Sequence, residues 1–166
     1  MKPYHILVLL AALLPACSQD HDKKIRKQVT AVAEKYIVGQ LTNPQRTISD
    51  NGRITISDEQ KKYIIEPSRI FTGLVDDDTK EDAIVSVSTF QGQYQTVSEQ
   101  LIILKTEKEF TLARVMESDM RIISLKDRII TADVPEHSRN TPLFNCQSCW
   151  EVVKFQFRMG ELVKVD

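Results

Sequence analysis

The sequence lacks a strong net charge. Its 22 basic residues are balanced by 23 acidic residues, which leaves a formal net charge of −1 at pH 7. Domains that bind nucleic acids concentrate positive charge, because each phosphate contact needs a cation to replace its counterion. The charge balance therefore argues against a nucleic-acid partner.

The motifs of the common enzyme classes are also missing. The chain contains no G-x-G-x-x-G, no G-x-x-x-x-G-K-[ST] and no G-x-S-x-G. These absences exclude the usual dinucleotide-binding turn, the phosphate-binding loop and the nucleophile elbow of serine hydrolases. Histidine, the most frequent general base in enzymes, occurs three times. We therefore predict a binding or structural role, not an enzyme, with no cofactor.

Long apolar runs are missing beyond the first residues of the chain. The run from Ile6 to Leu14 follows a short segment that carries the single positive charge of Lys2. It is shorter than the roughly 20 apolar residues that a membrane-spanning helix needs. A positive charge, a short apolar run and then small residues are typical of a secretory signal peptide. We predict a signal peptide over residues 1–16; the alternative is a buried N-terminal helix of a cytosolic protein.

A cysteine closes this segment. The residues Leu14-Pro15-Ala16-Cys17 resemble the lipobox of bacterial lipoproteins, and the resemblance implies that Cys17 is acylated and becomes the first mature residue. Several acyl chains on one residue suffice for stable anchoring. Ser18 is similar to the residue that accompanies outer-membrane sorting in enteric bacteria. The resemblance thus implies a lipoprotein of the cell envelope, anchored in the outer membrane and facing the periplasm, with the membrane and an envelope protein as partners.

Cysteine is otherwise scarce, with three in the whole chain. If lipid consumes Cys17, Cys146 and Cys149 remain as a pair that an oxidising compartment would join in a disulfide. Disulfide Cα atoms lie roughly 4.4–6.8 Å apart, whereas three strand steps span about 10 Å, so the chain must turn between them. Two alternatives stay open: a thiol-exchange or hydrolytic site around His137, Cys146 and Cys149, and a zinc site formed by the same residues.

One helix is predicted after the signal peptide, over about residues 22–41, following a polar lipidated link at 17–21. Asp20 or Asp22 is the predicted N-cap, and Gly39 supplies a stop signal. Apolar residues recur at helical spacing, namely Ile25, Val29, Val32, Tyr36 and Ile37.

Basic residues crowd the first turns of this predicted helix. Lys23, Lys24, Arg26 and Lys27 oppose the helix dipole, which favours negative charge at an N-terminus. A membrane surface nearby would offset this effect, because anionic headgroups attract such clusters. The alternative is a solvated polar face that happens to be basic.

Strand patterns fill the rest of the chain. Segments rich in Val, Ile, Thr and Phe alternate polar and apolar residues at 47–48, 53–56, 62–65, 69–75, 82–89, 97–105, 109–115, 120–125, 128–134, 150–158 and 161–165. Their short connectors favour antiparallel hairpins, since parallel strands need long crossovers. We predict an α+β fold in which the helix packs on a mostly antiparallel meander, with a single domain over 22–166 and a β-rich part over 46–166.

An acidic stretch, LVDDDTKEDAIVSV, occupies residues 74–87. It resembles the acidic loop of FG-GAP or VCBS-type repeats, in which D-x-D-x-D-G-x-x-D precedes an apolar strand. The resemblance implies calcium as a cofactor, with Asp76, Asp78 and Asp82 as oxygen ligands. Two positions depart from the pattern, because Leu74 stands at the first ligand position and Thr79 replaces the turn glycine. The alternative is an acidic turn whose carboxylates face solvent or cap backbone N–H groups.

Overall fold

A computed structural model describes residues 14–92, 94–135 and 150–166, with all side chains in these ranges except those of 14–19 and 94–97. The elements are helix α1 (Leu14–Val38) and strands β1 (Gln45–Ile48), β2 (Ile54–Ser57), β3 (Lys61–Gly73), β4 (Asp82–Gln91), β5 (Tyr94–Lys105), β6 (Phe110–Glu117), β7 (Arg121–Lys126), β8 (Ile129–Pro135), β9 (Trp150–Arg158) and β10 (Glu161–Val165). No helix in the described ranges is long and apolar enough to cross a membrane.

Helix α1 confirms the predicted N-terminal helix but has different ends. It begins at Leu14 rather than at residue 22 and ends at Val38 rather than at residue 41. Residues 17–21, predicted as a link, are therefore helical, and neither Asp20 nor Asp22 is an N-cap because both lie inside the helix. Asp22 instead accepts hydrogen bonds from Arg26 Nε at 2.7 Å and from the Thr72 hydroxyl at 3.0 Å.

The strands form two antiparallel meanders. One sheet has the order β1-β2-β3-β4-β5-β6 and the other has the order β10-β9-β8-β7. The predicted α+β fold of a helix on antiparallel strands is thereby confirmed, although the strands divide between two sheets. The predicted segments 62–65 and 69–75 are one strand, β3, whose register shifts between Ile65 and Ile70. Pro67 lies at this shift, where a residue without an N–H is tolerated.

The buried apolar residues form two clusters, one on each face of the six-stranded sheet, so the described residues are arranged in three layers. Helix α1 covers one face of the six-stranded sheet, and the four-stranded sheet covers the other. In β4, Val85 and Val87 face the helix whereas Ile84 faces the second sheet. Strands with both faces covered need apolar residues on both faces, which explains the unbroken apolar runs of β4 and β5.

Arg26 fastens the helix to the irregular part of β3. Its Nη1 donates to the carbonyl oxygen of Ile70 at 2.8 Å and to that of Pro67 at 3.3 Å. The two carbonyl groups lie within and at the end of the stretch where the register of β3 shifts, so the guanidinium provides hydrogen-bond donors at this irregularity. Of the basic cluster, Arg26 is therefore structural, whereas Lys23, Lys24 and Lys27 are exposed.

Candidate functional site

The loop between β3 and β4 brings the three predicted carboxylates together. One ligand oxygen from each of Asp76, Asp78 and Asp82 lies within 4.8 Å of the others. Asp82 is the first residue of β4 and is fully buried, whereas Asp76 and Asp78 are half-buried. The proximity predicted from the spacing is therefore present, and the remaining question is what the carboxylate oxygens bind.

Asp82 binds backbone N–H groups. One carboxylate oxygen accepts the N–H of Lys105 at 2.8 Å, and the other accepts the N–H of Val75 at 3.0 Å. The N–H of Asp76 also points to this second oxygen, at 3.5 Å. Burial raises the pKa of the Asp82 carboxyl, and these N–H groups oppose the rise by stabilising its charged form. Asp82 thus joins the acidic loop to the end of β5.

Asp76 and Asp78 also cap backbone groups. An Asp76 oxygen accepts the N–H of Asp78 at 2.9 Å, and an Asp78 oxygen accepts the N–H of Lys80 at 2.6 Å. Such local bonds are the Asx turns that aspartate forms readily. The Lys80 ammonium lies 3.7 Å from the other oxygen of Asp78. The geometry matches the predicted alternative, a turn whose carboxylates cap N–H groups.

Arg128 adds a fixed positive charge beside this loop. Its Nε donates to the carbonyl oxygen of Asp76 at 2.8 Å, and its Nη2 donates to that of Asp78 at 2.7 Å. Arg128 and Asp127 both have positive φ, of 63° and 52°, as the central pair of the β7–β8 hairpin turn. The guanidinium stabilises the loop and repels a second cation. The sequence pattern did not indicate this contact, because it joins residues of different sheets.

A second recess was not predicted from the sequence. A cavity of about 290 Å³ lies where the end of α1 meets the six-stranded sheet. It is lined by Tyr36, Gln40, Lys61, Tyr63, Thr89, Phe90, Gln91, Glu99 and Glu117. One signal could have revealed it: in β5, Glu99 has the same alternation phase as the core residues Leu101 and Ile103. A carboxylate at a core-facing strand position is unusual and requires a partner.

Glu99 is the buried carboxylate in the lining of this cavity. Its side chain is 6% exposed, and its oxygens accept hydrogen bonds from the Tyr36 hydroxyl at 2.9 Å and the Thr89 hydroxyl at 3.3 Å. Burial raises the pKa of Tyr36 well above its usual range, and the hydrogen bond to Glu99 raises it further. Burial and the Glu99 charge raise the pKa of Tyr63 in the same direction. The lining carries two carboxylates, those of Glu99 and Glu117, and one exposed ammonium, that of Lys61.

The predicted cysteine sites lie outside the described residues. His137, Cys146 and Cys149 belong to the segment 136–149, and the side chain of Cys17 is likewise outside the description. The disulfide, the zinc site, the thiol-exchange or hydrolytic site and the lipidation of Cys17 all stay predictions. Thiol labelling before and after mild reduction separates a stable disulfide, which resists reduction, from an exchanging pair.

Comparisons with known proteins add no family to this geometry. No family model, no curated protein and no solved structure matches the chain. The function must therefore be inferred from the residues themselves.

Proposed function

We propose that this chain is a lipid-anchored protein of the bacterial cell envelope that binds a ligand or a partner and catalyses no reaction. The observation that carries the proposal is the lipobox-like sequence Leu14-Pro15-Ala16-Cys17 at the end of the apolar run from Ile6. Acylated Cys17 would hold the domain on the outer membrane, facing the periplasm.

The position of Cys17 near the start of helix α1 supports a short link between a lipid anchor and the folded domain. The contact between Asp22 and Thr72 is an early link from the helix to the sheet. From Cys17 to Asp22 a helix rises about 7.5 Å, at about 1.5 Å per residue. A lipid on Cys17 would therefore keep the domain close to the bilayer, with the exposed Lys23 and Lys27 near the headgroups, which attract positive charge.

One observation supports a binding role. Binding of a small molecule needs a concave site with a few polar groups, and the cavity around Glu99 has this form.

Acylation of Cys17 is tested by substitution in the native host. Cys17→Ser should remove palmitate labelling and move the protein from the detergent phase to the aqueous phase. The matched control is Cys146→Ser, which should keep both the label and the detergent partitioning. An intact mass that corresponds to an uncut, unacylated N-terminus would refute the lipoprotein proposal, as would unchanged partitioning of the Cys17 variant.

Calcium-dependent binding at the acidic loop is the second candidate function. It is favoured by the convergence of the oxygens of Asp76, Asp78 and Asp82 within 4.8 Å, and opposed by Arg128 and Lys80. A weak extracellular-type calcium site would raise the melting temperature at millimolar calcium. An increase that disappears in the double variant Asp76→Asn, Asp78→Asn supports calcium binding, and an unchanged melting temperature eliminates it.

A further inference from the structure

The cavity at the end of α1 contains a buried carboxylate that forms no ion pair among the described residues. Glu99 is 6% exposed, and its hydrogen-bond donors are the neutral hydroxyls of Tyr36 and Thr89. Among the described residues no lysine, arginine or histidine forms an ion pair with it. Buried carboxylates in folded proteins are normally paired with a cation, since desolvation of an unpaired charge is costly.

A second carboxylate increases the negative charge at the same place. Glu117 on β6 is the direct register partner of Glu99 on β5, so the two side chains extend from neighbouring positions on adjacent strands. Residues directly opposite each other have Cβ atoms about 4.5–5.5 Å apart, and like charges in such a pair destabilise the sheet. A cation between the two carboxylates would remove this repulsion.

We propose that this cavity binds a primary ammonium group, of a small amine or of a lysine side chain, between Glu99 and Glu117. An ammonium donates up to three hydrogen bonds, and two carboxylates and the phenol oxygens offer acceptors for them. The ring of Tyr63 lines the same cavity and suits an organic cation, whereas the ring of Phe90 already contacts the Lys62 ammonium, 4.7 Å from its centroid.

The polar groups of the cavity suit an ammonium better than a metal ion. Calcium takes six to eight oxygen ligands, several of them carboxylate or carbonyl oxygens. Two glutamates supply the carboxylates here, and the other polar atoms are those of hydroxyl, phenol and amide groups and of the Lys61 ammonium, which is no metal ligand. The volume of about 290 Å³ is at the lower end of the range for small-molecule sites and fits a compact amine.

Lys61 gives the inference a second, opposite test. It lines the same cavity, and its side chain is exposed. Its positive charge lowers the attraction that the two glutamates exert on an incoming cation. Removing the Lys61 charge should therefore strengthen amine binding, whereas removing the Glu99 charge should weaken it.

The experiment is calorimetric titration of the purified full chain, in non-ionic detergent at neutral pH. The probes are butylamine, putrescine, an N-acetyl-lysine amide, tetramethylammonium and calcium. We expect butylamine or putrescine to bind if the source is a small amine, and the lysine amide to bind if it is a protein side chain. Tetramethylammonium, which donates no hydrogen bond, should bind at least tenfold more weakly.

Variants identify the residues responsible. Glu99→Gln should weaken amine binding at least tenfold and Lys61→Gln should strengthen it, while Glu107→Gln, an exposed change in the β5–β6 hairpin, should have no effect. If Glu99→Gln does not fold, Glu117→Gln at an exposed position provides the same test. Absence of amine binding, equal binding by wild type and the glutamate variants, or calcium binding that is tighter than amine binding and is lost in Glu99→Gln would overturn the inference.

This inference rests on the proposed binding role but not on the lipid anchor. A Cys17→Ser chain should bind the amine as the wild type does. Loss of acylation and loss of amine binding therefore have separate readouts, so failure of one is distinguishable from failure of the other.

Discussion

Tyr36 on helix α1 and Glu99 on strand β5 are joined by a hydrogen bond of 2.9 Å between the phenol and the carboxylate. This bond connects the end of the helix to β5, the strand beside the edge strand β6 of the six-stranded sheet. It also orients the carboxylate that we propose as the cation ligand. The same two residues therefore contribute both to the stability of the helix–sheet packing and to the binding site.

Removing this bond should destabilise the protein measurably. Tyr36→Phe deletes the donor and leaves the Glu99 carboxylate with one partner fewer, for an expected loss of about 1.5–3 kcal/mol in the free energy of unfolding. Urea denaturation measures the change. Tyr63→Phe is the matched control, because within the described residues the Tyr63 hydroxyl donates no hydrogen bond, and its loss should be smaller. Equal losses in the two variants would contradict the assigned role of the bond.

Asp82→Asn should destabilise the acidic loop. Each carboxylate oxygen of Asp82 accepts a backbone N–H, and in the variant an amide NH2 group, which is a donor, replaces one of these oxygens. The buried donors are the N–H groups of Val75 and Lys105, and the expected loss is about 1–3 kcal/mol. Asp77→Asn is the control at an exposed position of the same loop and should change the stability little. Urea unfolding curves of the two variants test the prediction, and a near-neutral Asp82→Asn would refute the capping role.

Asp22 should make stability depend on pH. Burial acts to raise its pKa, but the hydrogen bonds from Arg26 and Thr72 outweigh burial and lower the pKa below its ordinary 3.8. A lowered carboxyl pKa stabilises the folded state at pH values above the pKa of the unfolded state. This contribution is lost as the pH falls through the pKa of the folded state. Asp22→Asn should therefore cost stability at neutral pH and progressively less below pH 3.8.

Urea unfolding between neutral pH and pH values below 3.8 tests whether the stability lost in Asp22→Asn decreases in acid. Asp20→Asn, an exposed change in the same helix, serves as the control and should change the stability little. A deficit of Asp22→Asn that grows in acid would contradict the assignment.

A substitution in the β9–β10 turn should increase the stability of the protein. Met159 is fully exposed with a φ of 53°, and Gly160 follows with a φ of 84°, so both central residues have positive φ. Asn-Gly is the preferred pair for such a turn, and Met159→Asn should add about 0.5–1 kcal/mol of stability. Met159→Val should destabilise, since a β-branched residue resists positive φ. Thermal unfolding measures both changes, and the same sign in the two variants would contradict the turn assignment.

Local signals predicted most strands well. The predicted segments 150–158 and 161–165 coincide with β9 and β10, because alternation and a Met-Gly turn act within a few residues. The two segments around Pro67 were predicted separately, since a proline ordinarily interrupts a ladder. In the structure β3 runs through this stretch with a shift of register, and Arg26 on the helix binds two of its carbonyl groups.

The candidate sites were predictable in part. The grouping of Asp76, Asp78 and Asp82 followed from spacing within one loop, but the contact of Arg128 with that loop did not. The cavity around Glu99 was missed because its lining comes from α1, β3, β4, β5 and β6. Residues so distant in the chain meet through packing, which no local pattern encodes.

Local patterns in the sequence specify the order and type of the elements, because side-chain alternation, helical periodicity and turn residues act over short distances. Packing across the chain set three further features: the ten strands of the described residues form two sheets, a helix and a second sheet cover the two faces of β4, and Glu99 and Glu117 lie opposite each other. These outcomes depend on how large apolar faces are buried together, and burial is a property of the whole chain.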